Sequence, residues 1–284
     1  MEKFTFTNNR GEAIEFFGSP FRLIEARGLG DVSADIQSER APFQDGDTYI
    51  STRFEPRYVE LDFIISGSDY ADIEEKRVLL SRVTNPKIGL GELKYEYGDT
   101  VRIIQAVAES VPVFPSGRSN RTEFRQVAGL SFKCPNPYWR TLSIDASPTF
   151  EPLFQFPFEG TFQMGIARDE RILTNLGDTD IPFTVEFYGP ALNPRIDNVT
   201  TGEFIKVNQE LLDGEYMRIT TADNNKKVVF VDEFGVERNV FNWIDIDSTF
   251  FKLIQGDNYI TYSADSDIQG AVVNFTYQQH YNSV

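Results

Sequence analysis

The chain of 284 residues has one cysteine, one histidine, three methionines and two tryptophans. A single cysteine excludes an intrachain disulfide, and a Cys-based metal cluster would need other chains. A single histidine, His280, starves general-base and metal-ligating chemistry of its commonest side chain. Cations are scarce too. The 27 Lys and Arg face 43 Asp and Glu, a net charge of −16. Phosphate backbones are held by clustered cations, so sequence-specific nucleic-acid binding is not expected. No stretch approaches the ~18 consecutive apolar residues of a membrane helix, so no membrane insertion is expected. The opening MEKFTFTNNRGEAIEFFG alternates apolar and polar residues. It lacks the apolar run of a signal peptide and predicts a product made in the cytoplasm without a leader.

What is abundant is aromatic. Phe, Tyr and Trp make up 14%, and 25 of these residues are Phe. Phe and Tyr fit pleated, half-buried surfaces, so the composition points to a mainly β protein. The length suggests two domains. Charge divides the chain in the same sense. Residues 1–140 hold 18 basic and 21 acidic residues, whereas residues 141–284 hold 9 and 22. The near-neutral half can pack against copies of itself with little repulsion, and the acidic half suits solvent. The expected organisation is a first domain over 1–140, an extended segment over 141–170 and a second domain over 171–284. Three prolines between Ser147 and Phe158 interrupt strand and helix pairing there, and the accompanying Phe residues predict that the segment lies against a surface.

Along the first half, Phe4, Phe6, Ile14 and Phe16 alternate around the turn Asn8–Gly11, and a strand follows from Phe21 to Ala26. Residues 31–57 are polar, with Asp45-Gly46-Asp47 at their centre. Val32, Ala34 and Ile36 before the turn, and Tyr49, Ser51 and Arg53 after it, read as a long hairpin with little core of its own. Such a hairpin needs a partner surface; a disordered loop is the alternative. Tyr58–Gly67 reads as a strand. One helix is expected at about 69–84, capped by Asp69, with Tyr70, Ile73, Arg77 and Leu80 on one stripe and Asn85-Pro86 ending it. Strands resume over 91–97, 101–113 and 124–133. The second half is short strands at 8–15-residue spacing, a pattern of jelly-roll-type β-sandwiches.

Chemistry finds little support. His280 stands near the end of the sequence and reads as an exposed residue. Cys134 reads as small and buried. Gly28-Leu29-Gly30 and Gly89-Leu90-Gly91 complete no dinucleotide fingerprint. The pairs Asp45/Asp47, Asp178/Asp180, Asp245/Asp247 and Asp265/Asp267 read as solvated surface, with a Ca²⁺ loop or a glycosidase pair as alternatives. No metal, cofactor or enzymatic activity is expected. Trp243, Tyr259, Tyr262 and Tyr277 are aromatic candidates for glycan stacking, against the alternative of core packing.

Several segments together carry a resemblance. They are Ser131–Trp139 (SFKCPNPYW), Asn175-Leu176-Gly177-Asp178, Pro182–Gly189, Ile196–Ile205 and Leu212–Glu215, with Arg57–Leu61 and Lys76–Lys87 in the first half. In order and spacing this set resembles the siphophage distal tail proteins (Dit) over nearly the whole chain. The resemblance implies an N-terminal β-rich ring-forming domain with one helix and a long belt hairpin, followed by a galectin-like β-sandwich. It implies a homohexameric ring at the tail tip, open to passing DNA. The implied neighbours are the tail tube protein, a tape-measure or tail-associated hub protein and receptor-binding proteins. The polar hairpin would be the belt between subunits, with Asp31, Val32, Ile36, Phe43, Tyr49 and Arg53 on it. A different function, a β-sandwich module contacting host-surface glycans through Trp243, Tyr259 and Tyr262, stays open.

Overall fold

The computed structural model describes residues 2–146, 170–223, 225–265 and 273–284. The proline- and phenylalanine-rich stretch 147–158 and Asp267 therefore lie outside the described residues. Two compact units are present, one of Met1–Leu142 with Tyr281–Val284, the other of Ser143–His280.

The first unit is built from β1 (Lys3–Thr7), β2 (Ala13–Phe16), β3 (Phe21–Arg27), β4 (Ala34–Glu39), β5 (Thr48–Phe54), β6 (Arg57–Ser66), α1 (Tyr70–Val83), β7 (Gly91–Tyr97), β8 (Thr100–Ala108), β9 (Arg125–Cys134) and β10 (Trp139–Arg140). An antiparallel sheet runs β2-β1-β7-β8-β9-β6-β3. Its two ends meet at one corner, where the Phe17 N–H donates to the Phe21 carbonyl at 3.0 Å. Alternation makes this sheet two-faced. Val59, Leu61, Phe63 and Ile65 of β6 point inward, as do Phe4 and Phe6 of β1. Their rings interlock with those of neighbouring strands, Phe6 on Phe132 at 4.7 Å and Phe16 on Phe63 at 4.8 Å. Such contacts add about 0.5–1.5 kcal/mol each beyond the area they bury.

Asp69 caps α1, its carboxylate accepting from the Asp72 N–H at 2.9 Å. Ile73, Leu80 and Val83 are buried. Tyr70, expected on the same stripe, is 54% exposed. It sits in the first turn, where the Arg121 guanidinium lies 5.9 Å from its ring. Cys134 is fully buried, and the loss of solvent pushes its thiol pKa up to about 12.

The second unit comprises β11 (Ile144–Ala146), β12 (Glu170–Asn175), β13 (Phe183–Tyr188), β14 (Ala191–Leu192), β15 (Arg195–Asn198), β16 (Glu203–Lys206), β17 (Glu210–Leu211), β18 (Tyr216–Thr220), β19 (Lys227–Val231), β20 (Glu237–Asn239), β21 (Gly256–Ser263) and β22 (Val273–Tyr277), with β23 (His280–Tyr281) where the chain returns to the first unit. It is a β-sandwich. One sheet runs β11-β22-β13-β18-β19-β20 and the other β12-β21-β15-β16. Both supply one core, which includes Phe183, Phe187, Ile196, Ile205, Phe251, Ile260 and Phe275. His280 is 7% exposed, not the exposed residue expected. Its carbonyl accepts the Asp178 N–H at 2.7 Å. Gly177 permits this approach, because a Cβ there would stand 2.5 Å from that carbonyl oxygen.

Candidate functional site

The candidate site is the hairpin β4–β5. The register pairs Ala34 with Phe54, Ile36 with Thr52 and Gln37 with Ser51, then Ser38 with Tyr49 and Glu39 with Thr48. Ile50 is the extra residue of a β-bulge. One added residue moves every later side chain to the other face. Tyr49 is thereby brought onto the face of Ile36 and Phe54, while Asp35, Gln37 and Arg53 lie opposite. Arg53 faces Asp35 across the ladder and does not share the apolar face. Unbulged alternation would have grouped Tyr49 with Arg53, and nothing in the composition of 48–54 marks the bulge.

The hairpin is thus amphipathic, with its apolar face largely bare; at its base the Phe54 ring meets Tyr138 edge-on at 6.0 Å. Ile36 is 63% exposed, Tyr49 63%, Ile50 54% and Phe54 42%. Every residue of β4 is exposed, and all of β5 except half-buried Ser51. At the tip, Phe43 has φ 66° and a fully exposed ring. A bulky residue in this left-handed region costs roughly 1–3 kcal/mol and bears on no core here. Arg40 Nε donates to the Gln44 carbonyl at 3.0 Å and closes the turn.

The base is rigid. Arg57 is 1% exposed and belongs to β6, not to the projecting hairpin. Its guanidinium donates to the carbonyls of Pro137 at 2.7 Å, Gly28 at 2.8 Å and Asn282 at 2.5 Å. Burial lowers its pKa, opposed by charge at Cys134 and Asp31. Gly28 has φ 84°, and a Cβ on it would stand 1.8 Å from the Tyr58 carbonyl oxygen. Asp31 and Val32 line a cleft of about 220 Å³ at this base with Ser33 and Pro56. They lie apart from the apolar face of Ile36 and Tyr49.

The aromatic candidates of the second unit separate. Tyr262 is 4% exposed, with its ring against Phe187 at 6.3 Å, and Tyr277 is 8% exposed. Both are core residues, because inward positions on β21 and β22 take them. Trp243 packs on the core beside Phe230 at 5.5 Å, and the Arg238 guanidinium lies 5.0 Å from its ring. Tyr259 alone of the four stands out from a sheet face, 53% exposed and opposite Ile172. Among the described residues no cluster of three His, Cys, Asp or Glu could hold a metal ion. None of the described helices is long and apolar enough to cross a membrane.

Two family models match this chain. Residues 9–128 match the phage tail protein RIFT-related domain, and residues 177–281 match the siphovirus-type tail component, C-terminal domain. No curated protein matches. Among solved structures, the SPP1 Dit (gp 19.1) protein, described as a paradigm of the hub adsorption apparatus in Gram-positive infecting phages, is similar at a TM-score of 0.70. Its identity is 14%, and 98% of each chain is covered. A chain of the phage P2 baseplate in its activated conformation with Ca has a TM-score of 0.57 and 11% identity, covering 100% of this chain and 99% of its own. The corresponding phage p2 baseplate with Sr gives 0.55 and 10%, with full coverage of both chains. With a tail-protein match in each half and one shared fold along its length, the chain belongs to the siphophage distal tail protein family, as a component of the phage tail.

Proposed function

We propose that this protein forms a closed hexameric ring that joins the tail tube to the host-adsorption apparatus and leaves a central channel for DNA. The bare apolar face of β4–β5 carries the reading. A hairpin that buries so little in its own chain, with Phe54 alone of its apolar face meeting another ring among the described residues, Tyr138 at 6.0 Å, gains stability chiefly against a second surface. A heterologous contact, in which one patch meets a different patch on the next copy, closes into a ring when its rotation divides a full turn. The acidic second half suits a position away from the packed ring, and an acidic chain does not retain DNA in a channel. The expected partners are further copies, the tail tube, the hub protein and receptor-binding proteins.

Light scattering with negative-stain imaging tests this reading. Six chains of 32.4 kDa give about 190 kDa and a particle with a central hole. A mass of one chain at all concentrations would count against the ring. A second reading, contact with host-surface glycans, rests on Tyr259 alone, exposed on a sheet face beside Thr200, whose hydroxyl accepts the Tyr259 N–H at 2.9 Å. It predicts binding on a glycan array that Tyr259→Ala removes.

A further inference from the structure

We propose that the loop 111–125, with the exposed Tyr70 ring beside it, is the surface on which the hairpin of a second copy lies. The proposal rests on the ring reading and names the receiving surface which that reading leaves unassigned.

Charge narrows the choice of surface. Residues 31–57 contain six acidic residues, Asp31, Asp35, Glu39, Asp45, Asp47 and Glu55, against Arg40, Arg53 and Arg57. Arg57 is buried on carbonyls, so the hairpin presents a clear acidic excess. The rest of residues 1–140 balances, with 15 basic and 15 acidic residues. Residues 141–284, with 9 basic and 22 acidic residues, repel an acidic ribbon. The receiving surface therefore belongs to the first half, at a place locally basic and apolar together.

Loop 111–125 is such a place. It carries Arg118, Arg121 and Arg125 against Glu123; all three arginines are exposed, and Arg121 pairs with Glu74 of α1 at 3.8 Å, so the cationic excess rests on Arg118 and Arg125. Arg118 and Arg125 make no ion pair among the described residues. Beside them Val111, Val113, Phe124 and Tyr70 are each 54–61% exposed. The loop is held in place and does not need the partner to order it. Val113 and Gly129 exchange backbone hydrogen bonds at 2.9 and 3.0 Å. The Phe124 carbonyl accepts the Gly67 N–H at 3.1 Å. The Arg77 guanidinium covers the Phe114 ring at 4.5 Å. Two bare apolar surfaces of opposite charge thus exist on one chain. The apolar faces would form the buried centre of the contact, and the flanking charges would set register and encounter rate.

The test uses the full chain and its assembly curve by light scattering. Arg118→Glu with Arg125→Glu, and separately Asp45→Arg with Asp47→Arg, should each raise the concentration needed for assembly by roughly tenfold or more, with melting unchanged. The chain carrying all four reversals should recover most of that loss. Phe124→Ala, which adds no charge, should weaken assembly in the same direction. If the wild type assembles and the loop variants assemble equally well, this inference falls and the ring reading stands. If the four reversals together are no better than either pair, the charge pairing falls. A wild type that stays monomeric removes the ring reading, and this proposal with it.

Discussion

Two ribbons of the first unit are built on the same alternation and meet different fates. β3 and β6 pair from Phe21↔Ile65 to Arg27↔Glu60, and β6 turns Val59, Leu61, Phe63 and Ile65 into the core. Just beyond, the chain re-enters an antiparallel ladder at Ala34↔Phe54, and there Ile36, Tyr49 and Phe54 face solvent. Local pattern alone does not decide burial. The β3–β6 ribbon has β9 and the helix-bearing half of the unit to close over it. The β4–β5 ribbon extends past the edge of that body and has only its own two strands. A two-stranded ribbon is marginal without a covering surface. An apolar face that folding leaves bare in one molecule is therefore best explained by a contact between molecules.

Deleting residues 31–56 and bridging the gap with a short Gly-Ser turn is the strongest way to break the contrast. Assembly should vanish while the melting transition of the remaining chain persists. The deletion must stop before Arg57, because that side chain holds three carbonyls of the base. Truncating one residue of each ribbon is the next test. Phe63→Ala should cost about 3–5 kcal/mol in denaturant unfolding, because it opens a cavity in a closed core. Tyr49→Ala should move the same transition by less than about 0.5 kcal/mol yet weaken assembly. Gly28→Ala tests the joint between the ribbons. Its Cβ would collide with the Tyr58 carbonyl at a φ of 84°, so a loss of roughly 1–3 kcal/mol is expected, again by denaturant titration. Removing Ile50 should straighten the bulge and leave Tyr49 opposite Ser38 on the face of Ile36 and Phe54, because the remaining pairs already follow a regular ladder. Assembly should weaken only by the loss of the Ile50 side chain, with melting unchanged; abolished assembly would show that the contact depends on the bulge itself and not on the apolar face alone. The smallest effect concerns Cys134. With burial holding its thiol pKa at about 12, labelling at pH 8 should be slow and should follow global unfolding.

Much of the scaffold was readable. The alternation of Phe4 and Phe6, and the Asp69 cap ahead of Ile73 and Leu80, encode their elements locally, because side-chain period and a cap hydrogen bond need no distant partner. Among the candidate site residues, Ile36, Phe43 and Tyr49 stand exposed on one hairpin, as their place in a polar stretch with little core suggests. Phe54 and Phe124 escaped notice, since an exposed Phe looks like a core Phe in sequence. Tyr262 was misplaced for the converse reason. Tyr259 and Tyr262 are three residues apart on one strand, so they point to opposite faces, and only the identity of the inner face tells which is buried.

Composition and spacing by themselves determined that this is a mainly β, cation-poor chain with a helix at 70–83, a buried thiol and a polar hairpin with little core of its own. They did so because residue type sets local backbone preference and net charge directly. The tertiary structure alone decided which face of each strand is inward, where the Ile50 bulge turns Tyr49, that Arg57 anchors the base of the hairpin, and that Arg121 of loop 111–125 meets Tyr70 and Glu74 of α1. Those outcomes depend on pairings between residues tens of positions apart, and a face is defined only once the strand across from it is known.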